Sequence, residues 1–230
     1  MPDMPTLSAI IVAAGSSRRM GFDKLMAPLA GEPVLLHSLR AFQACAAVGE
    51  IILVTREDLL APLRTLADEH GVTKLRLLLP GGAERCESVW AGLAASAAEF
   101  PYIAVHDGAR PLITPEAIAE CLGVAEREGA ASCAAPVVDT LKLASPPCLL
   151  LEGGVPRENL WAMQTPQIFR RELILHAYET TMAAGEIVTD ETSALERQGT
   201  PVAIYHNPSW NPKITYVTDL MLAEAWLKSR

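Results

Sequence analysis

The first loop with residues suited to anion chemistry follows an apolar run near the N-terminus. It reads AAGSSRRMG at residues 13–21, and Lys24 comes soon after. Small residues let the backbone turn and bring its N–H groups close to phosphate oxygens, while arginine and lysine add positive charge. The pattern predicts a polyphosphate cradle, although an ordinary strand-to-helix turn with solvated arginines is the alternative. Its spacing matches neither a P-loop nor the dinucleotide fingerprint.

Two further loops carry polar residues after apolar runs. The second reads PGGAER at residues 80–85 and opens a helix, so its N–H groups and Ser88 are candidates to contact polar edges of a ligand. The third reads HDGARP at residues 106–111. Its Asp107 suits Mg²⁺ or a ribose hydroxyl, whereas His106 is more often a structural histidine. Other polar candidates lie too far along the chain for spacing alone to join them to these loops.

Short apolar runs alternate with helical stretches over the first 138 residues, which predicts an α/β fold with a doubly wound, mostly parallel sheet. Ligands of such sheets bind beyond the carboxyl ends of the strands, where the three loops lie. The predicted strands are Leu7–Ala14, Glu50–Thr55, Lys74–Leu79, Tyr102–His106 and Ala130–Val138. The predicted helices are Pro33–Cys45, Leu59–His70, Glu84–Ala98 and Pro115–Glu128, the last with Thr114 as N-cap and Gly129 as its end.

The alternation breaks after Val138. Proline and glycine pairs separate short β-prone pieces at 140–144 and 148–152, which predicts a projecting hairpin-like arm over about 138–161. Beyond it we expect a helix at Arg170–Ala184, a short helix within Thr192–Gln198, a strand at Pro201–His206 and a last helix at Asp219–Lys228. The whole chain, 1–230, is therefore interpreted as one α/β domain with an inserted arm.

Composition excludes several function classes. The 19 basic and 27 acidic residues give a net charge of -8, without the basic surface that nucleic-acid binding requires. No apolar run reaches the roughly 18 residues of a membrane-spanning helix, and the N-terminus lacks the pattern of a signal peptide, so a cytoplasmic protein is expected. The five cysteines contain no C-x-x-C spacing and are interpreted as reduced, buried thiols.

Eight motifs in order resemble those of the 2-C-methyl-D-erythritol 4-phosphate cytidylyltransferases. They are AAGSSRRMG with Lys24, GGAERCESV, HDGARP, DTLK, RENLW, QTPQ, TDETSALE and PKIT, and they cover nearly the whole chain. The resemblance implies a nucleotide-diphospho-sugar transferase fold, which is Rossmann-like. It also implies transfer of a cytidylyl group from CTP to methylerythritol phosphate, with release of pyrophosphate, in the non-mevalonate isoprenoid route. Mg²⁺ is the implied cofactor, and a homodimer with exchanged arms is the implied assembly.

The resemblance also assigns catalytic roles to individual residues. Arg19 and Lys24 match the loop cations that neutralise the triphosphate and stabilise the pentavalent α-phosphate. Arg18 is adjacent, but the family's arginine directly precedes the methionine, which selects Arg19. Lys213 matches the lysine that positions the incoming phosphate, and Arg157 matches the arm arginine that grips the methylerythritol phosphate of the neighbouring subunit.

The remaining assignments concern binding. The implied cytosine and ribose contacts are Ala13, Ala14, Gly15, Gly82, Ala83, Ser88 and Asp107. Arg110 and the hydroxyls of Thr140, Thr165 and Thr189 would line the polyol-phosphate pocket. The resemblance gives no firm protein ligand for Mg²⁺, which the triphosphate would hold mainly, with Asp107 nearby.

Two other functions stay open. A ribitol-5-phosphate cytidylyltransferase would share the CTP loop and differ in how the pocket receives the polyol. A nucleotide-binding regulatory module without turnover would keep the cradle alone, and the joint presence of Arg19, Lys24 and Lys213 argues against it.

Overall fold

The computed structural model describes residues 6–15, 20–146 and 149–229, and only the backbone of 149–153. Its main sheet has seven strands in the order β11-β7-β10-β6-β1-β4-β5. Neighbouring strands are parallel except β10, which is antiparallel to both β6 and β7. The strands are β1 (Leu7–Ala13), β2 (Pro28–Leu29), β3 (Glu32–Pro33), β4 (Val48–Thr55), β5 (Leu75–Pro80), β6 (Tyr102–Asp107), β7 (Ala130–Pro136), β8 (Lys142–Ser145), β9 (Leu149–Gly154), β10 (Trp161–Arg170) and β11 (Ala203–His206).

Helices cover both faces of this sheet. They are α1 (Val34–Ala44), α2 (Leu60–Glu69), α3 (Arg85–Ala95), α4 (Pro115–Glu128), α5 (Arg171–Ala183), α6 (Glu191–Glu196) and α7 (Val217–Lys228), with a 3-10 turn at Glu57–Leu59. None of the helices in the described residues is long and apolar enough to cross a membrane. The doubly wound, mostly parallel sheet predicted from the sequence is confirmed.

The first strand shows why the apolar runs form the centre of the sheet. Neighbouring residues of a strand point to opposite faces, and here Ile10 and Ile11 belong to two different core clusters. Both side chains are fully buried, with β4 on one side of the strand and β6 on the other. A strand covered on both faces needs apolar residues at successive positions, which is the pattern that identified it.

Residues at the two ends of α4 explain why this helix was predicted with its observed bounds. The Thr114 hydroxyl accepts a hydrogen bond from the backbone N–H of Ala117, and Pro115 occupies the first turn, where its missing N–H costs nothing. Gly129 ends the helix at φ +88°, a left-handed conformation that glycine adopts without a Cβ clash.

One central strand was missed. The sequence predicted nothing regular between the arm and the helix near residue 170, yet β10 fills this stretch and lies between β6 and β7. Pro166, which follows a cis peptide bond, argues against a central strand because proline cannot donate to the ladder. The structure accommodates it in a register break between Met163 and Gln167. A small hairpin before α1, formed by β2 and β3, was also missed.

The arm is a two-stranded antiparallel hairpin outside the main sheet. β8 pairs with β9, and Lys142 lies opposite Gly154. The predicted β-prone pieces therefore exist, shifted by one or two residues, while residues 147 and 148 at the predicted tip lie outside the described residues. Val138 and Leu143 are exposed on this part of the chain.

Candidate active site

A cleft lies at the carboxyl ends of β1, β5 and β6. Its cavity volume is about 170 Å³, and it is open to solvent on one side. The three polar loops of the sequence and a segment near the C-terminus form its wall. The lining residues are Val12, Ala13, Ala14, Gly15, Lys24, Leu25, Gly82, Ala83, Glu84, Arg85, Ser88, Asp107, Ala109 and Lys213.

The carboxylate of Asp107 joins cations from three parts of the chain. Its Oδ2 lies 2.8 Å from Nζ of Lys213 and 3.8 Å from Nε of Arg110. Its Oδ1 accepts hydrogen bonds from Nε and Nη2 of Arg85, both at 3.3 Å. Lys213 is 106 residues from Asp107 in the chain, so only the fold brings this group together.

These cations determine the charge of the buried carboxylate. Burial alone would raise the pKa of Asp107, but the positive charges of Arg85, Lys213 and Arg110 outweigh it and hold that pKa well below its usual value. Burial lowers the pKa of Arg110, and Asp107 opposes this shift. At Arg85 the effect of burial is outweighed by Glu191 and Asp107, which raise its pKa. Asp107 is therefore ionised at neutral pH.

Hydrogen bonds among uncharged groups of Thr165, His106 and the backbone hold Asp107 in place. The Thr165 hydroxyl oxygen accepts a hydrogen bond from the backbone N–H of Asp107 at 3.0 Å and lies 3.1 Å from Nδ1 of His106. The other ring nitrogen of His106 lies 3.2 Å from the carbonyl oxygen of Arg110. Burial lowers the pKa of His106 to about 3, so the ring stays neutral. The structural interpretation of His106 agrees with these contacts.

Two predicted pocket residues lie in this supporting layer and do not line the cleft. Thr165 is 4% exposed and contacts Asp107 through the backbone. Arg110 is 9% exposed and donates hydrogen bonds to the carbonyl oxygens of Asn211 and Met163. In this single chain both residues therefore stabilise the segments that form the wall of the cleft.

The segment around Lys213 closes one side of the cleft. The backbone N–H of Ile214 donates to the carbonyl oxygen of Ala109 at 2.8 Å, which fixes the segment on the third loop. Nζ of Lys24 donates to the carbonyl oxygen of Ile214 at 2.7 Å, across 190 residues of chain. Lys24 and Lys213 are thus brought to the same wall.

Small residues allow the first and second loops to touch. The Ser88 hydroxyl accepts a hydrogen bond from the N–H of Gly82 at 3.1 Å and donates to the carbonyl oxygen of Glu84 at 3.2 Å. A Cβ on Gly81 would lie against the side chain of Ala14 and 2.7 Å from the Ser88 hydroxyl oxygen. All six predicted cytosine and ribose positions other than Asp107, namely Ala13, Ala14, Gly15, Gly82, Ala83 and Ser88, line this part of the cleft.

Other predicted residues are not brought to the cleft of this chain. Arg157 is exposed and donates to the carbonyl oxygen of Val138 within the arm. Thr140 is an exposed arm residue, and the Thr189 hydroxyl lies 3.3 Å from that of Ser193. Arg18 and Arg19 lie outside the described residues.

Sequence reasoning missed two charged residues of the site. Arg85 lines the cleft, and Glu191 is fully buried behind it with Oε1 2.6 Å from Nη1 of Arg85. Arg85 was visible in the second loop, directly at a predicted helix start. Glu191 was visible only as one acidic residue of the TDETSALE motif, and nothing in the sequence indicated its burial.

The donor groups suit a divalent cation only together with a phosphate ligand. Among the residues that the structure describes, no three His, Cys, Asp or Glu side chains cluster as a metal site. Two acidic residues among those described, Asp107 and Glu84, line the cleft. Mg²⁺ is commonly bound by one or two carboxylates plus substrate phosphates, so this donor set fits such an ion.

A doubly wound sheet with a cationic cleft beyond the carboxyl ends of its strands is typical of α/β nucleotide-binding proteins. Comparison with known proteins identifies the family within this class. The chain belongs to the family described as IspD: 2-C-methyl-D-erythritol 4-phosphate cytidylyltransferase, whose family model matches residues 7–229. The predicted resemblance is confirmed.

Individual relatives align with this chain over nearly their full length. A 2-C-methyl-D-erythritol 4-phosphate cytidylyltransferase of Dehalococcoides mccartyi (strain CBDB1) is 43% identical over 96% of each chain. A solved 4-diphosphocytidyl-2C-methyl-D-erythritol synthase from Anaerococcus prevotii has a TM-score of 0.84 at 27% identity and covers 99% of this chain and 98% of its own. The structure of the Thermus thermophilus cytidylyltransferase has a TM-score of 0.79 at 31% identity, covering 96% and 98%.

Proposed function

We propose that this protein transfers a cytidylyl group from CTP to 2-C-methyl-D-erythritol 4-phosphate, giving 4-diphosphocytidyl-2-C-methyl-D-erythritol and pyrophosphate. The observation that carries the proposal is the convergence of Lys24, Lys213 and Arg85 with Asp107 in one cleft at the carboxyl ends of the strands. Family membership gives the substrates, and these residues supply the charges that the reaction needs.

The nucleotide is expected to occupy the part of the cleft formed by the first two loops. Ala14, Gly15, Gly82 and Ala83 offer backbone groups in a narrow space, and the contact between the two loops limits its width. We propose that this narrow space selects the smaller pyrimidine ring over a purine, by shape and by contacts to backbone groups.

Transfer requires charge stabilisation rather than proton removal. The second pKa of a phosphate monoester is about 6, so the acceptor phosphate is mainly a dianion at neutral pH. One of its oxygens attacks the α-phosphorus of CTP, the α–β P–O bond breaks, and pyrophosphate leaves with the electron pair. In this proposal Lys213 holds the incoming phosphate and Lys24 neutralises the triphosphate. Arg19 keeps its proposed role towards the triphosphate.

A divalent cation is the expected cofactor, and we propose Mg²⁺. It would neutralise charge on the triphosphate and would be held mainly by phosphate oxygens. Asp107 would lie near this ion, while its two carboxylate oxygens contact Arg85 and Lys213. A cytoplasmic protein stays our prediction as well.

The residues that lie outside this cleft support a shared site. Arg157 and Thr140 belong to the arm region, which is exposed and carries apolar residues such as Val138 and Leu143 on its surface. We propose that the arm of one subunit reaches the cleft of its partner in a homodimer. Arg157 would then bind the methylerythritol phosphate there, and Thr189 would face it from the other chain.

The test is pyrophosphate release by the purified protein with CTP and Mg²⁺, using methylerythritol phosphate or ribitol 5-phosphate at equal concentration. Strong preference for methylerythritol phosphate is expected. Preference for ribitol 5-phosphate would retain the CTP chemistry and overturn the acceptor. Absence of release with both acceptors, combined with CTP binding in calorimetry, would favour the regulatory module.

A further inference from the structure

A buried ion pair without a predicted role connects the last part of the chain to the cleft. Glu191 begins α6 and is fully buried. Its Oε1 accepts hydrogen bonds from Nη1 of Arg85 at 2.6 Å and from the Tyr178 hydroxyl at 2.9 Å, and its Oε2 accepts from Nη2 of Arg85 at 3.1 Å. A buried carboxylate needs such compensation. Glu191 therefore holds the Arg85 guanidinium in one orientation.

The backbone at Glu191 is itself fixed by the missed strand. Oε1 of Gln167, on β10, accepts hydrogen bonds from the N–H groups of Glu191 and Thr192 at 3.1 and 3.2 Å. The Gln167 amide nitrogen donates to Oδ2 of Asp190 at 3.0 Å, and Asp190 caps α6 through the N–H of Ser193. The start of α6 is thus attached to the strand that also carries Thr165.

Arg85 uses a second edge of its guanidinium for the cleft. Its Nε and Nη2 contact Oδ1 of Asp107, which leaves Oδ2 to Lys213 at 2.8 Å. A planar guanidinium can hold two carboxylates at a fixed mutual angle, whereas a lysine ammonium cannot. Through these contacts Arg85 orients the Asp107 carboxylate, and that carboxylate locates the ammonium of Lys213.

We propose that Arg85 and Glu191 are positioning residues, which place Lys213 for the incoming phosphate by fixing the orientation of Asp107. This inference rests on the proposed function, in which Lys213 holds the acceptor phosphate. It predicts that loss of the Glu191 charge disturbs turnover although Glu191 does not line the cleft.

Glu191→Gln is the first variant, because it keeps the size of the side chain and an acceptor for Tyr178. We expect kcat to fall about 10- to 100-fold, since misplacement of a reacting group by about 1 Å has effects of that size, while KM for CTP changes less than about threefold. Arg85→Lys keeps the positive charge but loses the planar guanidinium that contacts both carboxylates, so its kcat should fall as well. Unchanged kcat in Glu191→Gln would overturn the proposal.

Another buried acid serves as the matched control. Glu50 is 3% exposed, accepts hydrogen bonds from the Ser8 hydroxyl at 2.6 Å and the Ala97 N–H at 2.8 Å, and pairs with Arg76. It does not line the cleft. Glu50→Gln should therefore lower thermal stability and leave kcat unchanged. An equal loss of kcat in this control would attribute the effect to stability alone and overturn the proposal.

A double variant separates positioning from charge compensation. In Arg85→Met with Glu191→Gln, no charge is left buried without its partner, so thermal stability should recover relative to Arg85→Met alone. The kcat should stay low, because Oδ1 of Asp107 has lost the Arg85 contacts. A stable double variant with the kcat of the unmodified protein would overturn the positioning role.

A readout without substrate distinguishes failure of this inference from failure of the proposed function. Lys213 is acetylated with limiting acetic anhydride, and its modification is compared by mass spectrometry with that of the exposed Lys228. Glu191→Gln should raise acetylation at Lys213 severalfold and leave Lys228 unchanged. Unchanged Lys213 acetylation would overturn the inference whether or not the protein releases pyrophosphate, whereas an inactive unmodified protein would count against the proposed function.

Discussion

Lys213 is brought to the cleft by the fold, and its loss should affect turnover more than CTP binding. Its ammonium lies 2.8 Å from Asp107 at the wall of the cleft, where an acceptor phosphate would meet it. In the proposed reaction this charge acts on the phosphate as it approaches the α-phosphorus. An interaction of this kind raises kcat more than it strengthens the binding of CTP.

Lys213→Ala is therefore expected to lower kcat about 100-fold or more, the usual effect of removing one group that stabilises developing charge. The Kd of CTP, measured by calorimetry with Mg²⁺, should change less than about threefold. Lys228→Ala is the matched control, since Lys228 is exposed and pairs with Glu224 one turn away. Equal losses of CTP binding and turnover in Lys213→Ala would contradict the assigned role.

His106 makes stability depend on pH in a window set by its burial. Its pKa is about 3 in the folded protein and about 6.5 in an unfolded chain. Between these values the unfolded chain binds more protons, so stability rises with pH there and is lost as pH falls from about 6.5 toward 3. Asp107, whose pKa lies below its usual value, contributes only below about pH 4.

The free energy of unfolding in urea at pH 4.5, 5.5 and 6.5 tests this. The slope due to His106 should reach up to about 1.4 kcal/mol per pH unit. His106→Asn removes the titrating group and should flatten the curve, although its stability at pH 7 is lower. Parallel curves for the two proteins would show that His106 does not cause the slope.

At the scale of elements, the cleft depends on close contact between the loops after β1 and β5. Gly81 has no room for a Cβ, which would meet the Ala14 side chain and the Ser88 hydroxyl. Gly81→Ala should therefore push the two loops apart and raise KM for CTP by about tenfold or more. Steady-state pyrophosphate release against CTP concentration measures this change.

Gly123→Ala provides the control for this substitution. Gly123 lies in α4, where a Cβ would meet only Nη1 of Arg127 at 3.7 Å. Alanine is the better helix former, so this variant should gain up to about 1 kcal/mol of stability with KM unchanged. If Gly81→Ala also leaves KM unchanged, the loop contact does not shape the CTP site.

At the scale of the whole molecule, the proposed site draws residues from two chains. Lys213 lies in the cleft, whereas Arg157 lies in the arm and donates to Val138. If the arm reaches a partner's cleft, a subunit lacking one of these residues can supply the other.

Mixing Arg157→Ala with Lys213→Ala protein tests this directly. After random exchange of subunits, about half of the dimers are heterodimers, and each heterodimer has one intact site of two. About a quarter of full activity should therefore return. Light scattering checks for a dimer, and the controls are the two variants incubated separately under the same exchange conditions. No recovery after proven subunit exchange would place Arg157 and Lys213 in the site of the same chain, or Arg157 outside any site.

Much of the fold was predictable because its signals are local. Apolar runs such as that of β1 mark strands buried on both faces, and Thr114, Pro115 and Gly129 mark the ends of α4. The motifs also identified the family, since short loops that approach a ligand tolerate few residue types. The strand β10 was missed because Pro166 reads as a strand breaker, while its place depends on pairing with β6 and β7.

The sequence by itself therefore determined the class of fold, the family and the loops that line the cleft. Only the tertiary structure decided which charges meet there. Glu191 contacts Arg85 across 106 residues, and Lys24 contacts Ile214 across 190. Such contacts leave no trace in spacing, because burial and charge compensation act between elements that the sheet order brings together. Glu191 is for this reason an ordinary acidic residue in the sequence, and only the fold shows that it is buried and holds Arg85.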